Sequence, residues 1–174
     1  MAKFWSSSLF FLSFVLVTLF GNIPNVKADI LDDVCPKTIN PPLCFQVLRN
    51  DPYVYKGDIH SLLSIVLSIA QDNTTSTYNL IQSILQQPIK YPNMKDQLIG
   101  CLKNYKYASD NLESCNDLLR IANYRKISFL AYAAMYESLA CNQGFRDVPP
   151  QLKQLSKVVQ EFSDVSAVIA YDLE

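Results

Sequence analysis

The chain has 174 residues, of which 49% are hydrophobic and 18% charged, with a formal net charge of −1 and a single histidine. This balance excludes a strongly basic nucleic-acid binder and a highly charged disordered chain. Lone His60 leaves little room for zinc or acid–base chemistry, while five cysteines beside only four glycines point to a compact, crosslinked chain.

Residues 1–28 read as a secretory signal peptide: Lys3 near the start, an apolar run from Leu9 to Phe20, and Val26-Lys27-Ala28 as a small-residue cleavage site. A run of that length rises only about 18 Å as a helix, short of the roughly 20 residues that cross a bilayer. No later segment offers another span, so the chain is expected to be exported and, after cleavage, free of the membrane. Losing Lys3 and Lys27 makes the remaining 29–174 more acidic by two charges, which leaves no electrostatic footprint for nucleic acid.

Gly is scarce, no alternating run is bounded by turn residues, and apolar positions recur at three-and-four spacing, so the chain reads as all-α. Residues 29 to about 55 carry Ile30, Leu31, Val34, Phe45, Val47 and Leu48, too apolar for a solvated tail. Pro41 and Pro42 forbid one helix through this segment, which predicts two short helices, roughly 29–39 and 41–49, bent back on each other. Export favours disulfides, and Cys35 and Cys44 are close enough to staple that bend. Cys101, Cys115 and Cys141 must then supply a second bridge and a spare thiol.

A long helix is expected from near Gly57-Asp58, capped by Asp58, to near Pro88, with a stripe of Ile59, Leu62, Val66, Ile69, Ala70, Thr77, Leu80, Ile81 and Ile84. The polar run from Asn73 to Thr77 is expected to loosen or bend it, and Asn73-Thr74-Thr75 is a glycosylation sequon. A second helix follows Pro92, with Leu98, Cys101, Leu102, Tyr105, Ala108, Leu112, Cys115 and Leu119 facing inward. The third carries Ile127, Leu130, Ala131, Ala134, Ser138 and Cys141, with Gly144 where a C-terminal cap belongs. The fourth follows Pro149-Pro150 and shows Leu152, Leu155, Val158, Val159, Phe162, Val165, Ile169 and Leu173.

Four such helices on short connections predict an antiparallel up-and-down four-helix bundle over 56–174, with the N-terminal disulfide-stapled helical hairpin at 29–55. Cys101, early in one helix, and Cys141, late in the next, fall at the same height and are expected to pair. Cys115, two heptads from Cys101, is expected at the other end as a buried free thiol. On the outer face of the same helix, Lys103, Lys106, Tyr107 and Asp110 form a candidate partner-binding surface on a rigid scaffold, beside the alternative of a solvated face.

No metal-ligand spacing, phosphate-binding glycine loop or nucleophile elbow is present in the sequence, and His60 reads as a solvated side chain, so no catalytic residue, metal or cofactor is expected. A binding protein is the remaining class, with a small apolar-ligand carrier as one alternative.

Cys35-x-x-Thr38, Cys44, Leu48 with Asp51-Pro52, Cys101-x-x-x-Tyr105-x-x-Ala108 with Leu112, and Ala133-Ala134 before Cys141 and Phe145 form an ordered set. Across residues 29–174 this set resembles the plant invertase and pectin methylesterase inhibitor family. The resemblance implies the same bundle and hairpin, bridges Cys35–Cys44 and Cys101–Cys141, and one-to-one inhibition of a cell-wall or vacuolar carbohydrate-active enzyme by a monomer that covers its active-site cleft. It places the protein in the apoplast or cell wall, with the vacuole as a second location. Lys103 stands where pectin methylesterase inhibitors commonly carry an acidic residue, and Cys141-Asn142-Gln143 replaces their Cys-Glu-Asp. Tyr124-Arg125-Lys126 occupies the region of the Pro-Lys-Phe segment of invertase-directed members, a difference that tilts the expected target slightly toward pectin methylesterase. A family member that keeps the fold without inhibiting remains a further alternative.

Overall fold

The structure, a computed structural model, describes residues 26–49, 58–87 and 94–174. Among the described residues, six α-helices run in order: α1 Val26–Val34, α2 Pro41–Leu48, α3 Ile59–Leu85, α4 Lys95–Arg120, α5 Tyr124–Gln143 and α6 Pro150–Asp172. A 3-10 turn, Cys35–Lys37, joins α1 to α2, and no strand occurs among the described residues. The predicted signal peptide lies outside the described residues except for Val26–Ala28, which already belong to α1. Gly57 and the predicted helix boundaries at Pro88 and Pro92 also lie outside them.

The hairpin differs from expectation at its first helix. The α-helix stops at Val34, before the predicted residue 39, because Pro36 brings no N–H to the ladder and the chain tightens into the 3-10 turn. In α2, Pro41 and Pro42 occupy the first helical turn, where a missing N–H has no intrahelical partner to lose, and Asn40 Oδ1 accepts from Leu43 N–H at 3.4 Å. Cys35 and Cys44 are joined, with Cα atoms 5.5 Å apart. The staple removes freedom from an unfolded loop whose separate helices are each too short to persist alone.

Helix α3 begins at the cap foreseen from sequence: Asp58 Oδ1 accepts from Ser61 N–H at 2.8 Å, and that bond holds its carboxyl below the usual value. The polar run in its middle does not interrupt it. Asn73 Nδ2 donates to Ile69 O, Thr74 Oγ1 to Ala70 O and Thr77 Oγ1 to Asn73 O, at 2.8, 2.8 and 2.7 Å. Each polar group is satisfied one turn back on its own helix, so the helix continues through to Leu85.

Helices α3 to α6 form the bundle, with α4 packed between α3 and α5, and α6 closing the ring against α5 and α3. Its core has two ends. One gathers Leu62, Leu63, Val66, Leu67, Leu112, Cys115, Ile127 and Ile169 with the hairpin residues Leu31, Val34, Cys35 and Leu48. The other gathers Ile81, Leu98, Cys101, Tyr105, Cys141, Leu152 and Val159. The hairpin therefore lies against the bundle and shares its core. Burying Leu31, Val34 and Leu48 contributes about 1.5–3 kcal/mol each before the entropy of ordering the segment is set against it.

Residues 161–170 of α6 are buried on every side. The hairpin packs over Glu161, Phe162, Asp164 and Val165, so part of the expected apolar stripe meets the hairpin, while Leu152, Ser156 and Val159 turn to the bundle interior. Glu161, Ser163 and Asp164 are buried. At the end of α5, Gly144 is the cap residue, but its φ of −69° is right-handed. The helix closes by tight bonds, Gly144 N–H to Cys141 O and Phe145 N–H to Asn142 O, both at 3.2 Å, which need no left-handed residue. The left-handed cap occurs instead after α4, at Ala122, with a φ of 53°.

Candidate partner-binding face

Cys101, nearly two turns into α4, is bonded to Cys141 in the last turn of α5, their Cα atoms 4.6 Å apart. Immediately above, the buried hydroxyl of Tyr105 donates to Ser156 Oγ at 2.8 Å and lies 2.9 Å from Ser138 Oγ. Burial raises its pKa, with Ser138, Ser156 and Thr77 as opposing hydrogen-bond partners. One side chain thus ties α4 to α5 and α6. On one flank of α4, Asn104 Nδ2 donates to Glu137 O at 3.2 Å; on the other, Gln71 Nε2 donates to Ser109 Oγ at 3.0 Å.

The four sequence-predicted residues sit on the outer face of this fixed helix. Lys106 Nζ is 2.6 and 2.8 Å from the two oxygens of Asp110, which raises the lysine pKa, and Lys103 Nζ lies 5.9 Å above the Tyr107 ring. All four are exposed, Tyr107 by 47%. The structure therefore groups them as two side-by-side cation pairs that present an aromatic edge and mixed charge to solvent.

A second exposed surface was not picked out from sequence. On α5, Phe129, Tyr132 and Tyr136 stand outward, with Phe129 71% and Tyr136 63% exposed. Their three-and-four spacing opposite the Ile127, Ala131, Ala134 stripe was a legible signal, since large aromatics on the solvent side of a helix are unusual when nothing covers them. The face on α4 and this aromatic ridge on α5 lie on neighbouring helices.

The remaining sequence-predicted sites fall elsewhere. Cys115 is fully buried in the core end near the hairpin, its Sγ 3.7 Å from Ile127 O, and burial pushes its thiol up to about 12. Asn73 is half-buried on α3, and Nδ2, the atom a glycan would occupy, is engaged with Ile69 O. His60 is not fully solvated as expected; it is half-buried and meets the Tyr124 ring edge-on at 6.1 Å between centroids. Among the described residues no group of three or more His, Cys, Asp or Glu side chains is placed to hold a metal ion, and no helix is long and apolar enough to cross a membrane. The recess between hairpin and α6, lined by Leu43, Leu48, Glu161 and Phe162 among others, measures about 10 Å³, room for a water and not for an acyl chain. The larger recess, about 370 Å³ beside the α4–α5 turn, is open to solvent and lined by Ile121, Tyr124, Arg125 and Glu174.

A helical bundle locked by two disulfides, with its exposed aromatics on outer faces, has the build of a protein that acts by binding another macromolecule. The family model described as plant invertase/pectin methylesterase inhibitor matches residues 29–169, and the chain belongs to that family. Its role is that of an enzyme inhibitor, and it is not an enzyme. Among curated proteins it is 32% identical to a pectinesterase inhibitor of Actinidia deliciosa, the match covering 98% of this chain and 96% of that one. It is 24% identical to pectinesterase inhibitor 2 of Arabidopsis thaliana, covering 98% of each chain. It is 29% identical to the cell wall / vacuolar inhibitor of fructosidase 2 of the same plant, covering 82% of each. A crystal structure of a mutant form of a pectin methylesterase inhibitor from Arabidopsis superposes with a TM-score of 0.75 at 23% identity, covering 81% of this chain and 95% of that one, which shows the common fold.

Proposed function

We propose that the protein is exported to the plant cell wall and there seats one-to-one, as a monomer, over the active-site cleft of a carbohydrate-active enzyme, pectin methylesterase in preference to acid invertase. The observation that carries this reading is the end-to-end match, at 32% identity, to a protein named a pectinesterase inhibitor. The 29% match to a fructosidase inhibitor covers less of the chain, and the Pro-Lys-Phe segment of invertase-directed members has Tyr124-Arg125-Lys126 in its place. Export is supported by the position at which the family match begins, residue 29, immediately after the cleavage site read from the sequence. The vacuole is the second location that this family reading allows.

The docking face assigned to this function is that of Lys103, Lys106, Tyr107 and Asp110. A helix held by a disulfide and a buried tyrosine loses little conformational freedom when a partner covers it, so more of the contact energy appears as affinity. The Asn73 sequon belongs to the same export reading: a transferase meets Asn73 on the emerging chain, before the helix engages its amide. Intact mass of the exported protein, with and without Asn73→Gln, reads that modification. The function is tested by titrating the purified, disulfide-bonded protein against a plant pectin methylesterase and an acid invertase at mildly acidic pH. Stoichiometric loss of pectin methylesterase activity is the expected result, invertase inhibition alone reverses the preference, and full activity of both enzymes refutes the proposal.

A further inference from the structure

The turn between the hairpin helices is fastened to α6 by three acidic side chains of different character. Asp172 pairs with Lys37 at 2.7 Å, and Glu161, which accepts from Asn40 Nδ2, has Lys157 Nζ 3.7 Å away. Each of these carboxylates faces a cation. Asp164 does not: its Oδ2 accepts from Ile39 N–H at 2.7 Å, it is 2% exposed, and among the described residues it has no ion pair. A carboxylate that exchanges its water shell for one neutral N–H is costly to keep charged. Lifting the hairpin would withdraw Ile39 and return the carboxyl to solvent.

We propose that docking of the stapled hairpin on α6 is proton-linked: Asp164 takes up a proton from solvent as the hairpin seats, so acidification tightens the clasp. The neutral acid keeps the contact, because its carbonyl oxygen still accepts from Ile39. Burial holds the docked Asp164 carboxyl above its ordinary value, and the Ile39 N–H offsets only part of that rise. A carboxyl raised in the docked state contributes fully below its undocked value, and the contribution is lost as pH climbs through the docked value. The window therefore lies on the acidic side, upward from the ordinary carboxylate range. Of the charged and titratable groups on the elements packed here, Lys157 and Glu161 on its own helix pair with each other, Lys37 on the hairpin pairs with Asp172, and Tyr132 on α5 is the group that feels the Asp164 charge. Burial and the Asp164 charge raise the pKa of Tyr132, so its hydroxyl stays neutral throughout the window.

The test is amide hydrogen exchange of residues 31–48 in the exported, disulfide-bonded chain from about pH 7.5 to about pH 4, with intrinsic exchange rates divided out. Protection of the hairpin is expected to rise as pH falls, by up to about tenfold for each unit separating the docked and undocked Asp164 values, while α4 stays level. Asp164→Asn is expected to remove the dependence and hold protection near the wild-type acidic level. Flat protection in the wild type, an unchanged slope in Asp164→Asn, or a slope abolished by Glu161→Gln alone would overturn the proposal. Should Asp164→Asn fail to fold, carboxyl carbon NMR of the wild type decides: a midpoint above the ordinary aspartate value supports proton linkage, and one at or below it refutes it.

Discussion

The Tyr105 hydroxyl donates to Ser156 Oγ at 2.8 Å across the centre of the bundle, one turn above the Cys101–Cys141 bridge. Because the same oxygen sits 2.9 Å from Ser138, the tyrosine fixes the register of three helices at a single height. Apolar side chains slide past one another at little cost; a buried hydroxyl with one correct set of partners does not. Tyr105→Phe keeps the ring and removes the oxygen, leaving Ser156 Oγ without its donor. A loss of about 1–2 kcal/mol in chemical denaturation is expected, with inhibitory activity unchanged.

The long-range bridge acts on the unfolded chain. Closing a loop with a sequence separation of 40 residues is worth about 3–4 kcal/mol, more than the 9-residue staple of the hairpin. Replacing Cys101 and Cys141 together by Ser is expected to lower the denaturation midpoint of the whole bundle. Replacing Cys35 and Cys44 should instead speed hydrogen exchange locally, in residues 31–48. Equal effects of the two double variants would show that the hairpin and the bundle unfold as one unit.

Cys115 should be chemically silent. With its thiol pushed up to about 12 by burial, on the order of one molecule in ten thousand carries the thiolate at pH 8, and a reagent must also reach a fully buried sulfur. Native protein is expected to leave a thiol-specific chromogenic reagent uncoloured over hours at pH 8, and to release one equivalent per chain once denatured. Rapid labelling of the native protein, or a disulfide-linked dimer, would contradict this.

Two glycine exchanges test the backbone reading. Ala122 holds a left-handed φ while Asn123 N–H reaches Leu118 O and Ala122 N–H reaches Leu119 O, an arrangement that favours glycine at residue 122. Ala122→Gly is expected to stabilise by about 0.5–1 kcal/mol, the relieved strain exceeding the added freedom of the unfolded chain. Gly100 lies inside α4 with open space where a Cβ would stand, so Gly100→Ala is expected to add about 1 kcal/mol. Opposite signs in thermal or denaturant unfolding would refute either assignment.

For the docking face, stability and activity should separate. Tyr107→Ala and Lys103→Ala remove exposed groups outside the core, so denaturation midpoints should hold while inhibition of the target enzyme weakens by about tenfold or more. Lys106→Ala releases Asp110 from its neighbour and provides a third reading of the same face. Parallel losses of stability and inhibition would place these residues in the scaffold instead of the interface.

Much of the architecture was legible from local chemistry. Period, prolines and caps set the helices within a few residues, as at Asp58 and Pro150, because each signal depends on atoms no more than a turn away. The Asn73 to Thr77 run stays within one continuous helix by back-bonding to the preceding turn, an outcome that composition does not distinguish from disruption. The aromatic ridge of Phe129, Tyr132 and Tyr136 is present in the spacing, on the side of α5 opposite its inward stripe. The grouping of Lys103, Lys106, Tyr107 and Asp110 was recoverable, since residues three and four apart on one helix must be neighbours.

By itself the sequence determined an all-helical chain, the inward stripes of its first three bundle helices, and which cysteines stand at matching heights. Tertiary structure alone decided that the hairpin lies along α6, and so that the acidic Glu161 and Asp164 are buried beneath it. The reason is range: helical periodicity is fixed within a turn or two, whereas Ile39 and Asp164 meet across 125 residues, and only the packed fold brings that amide to that carboxylate.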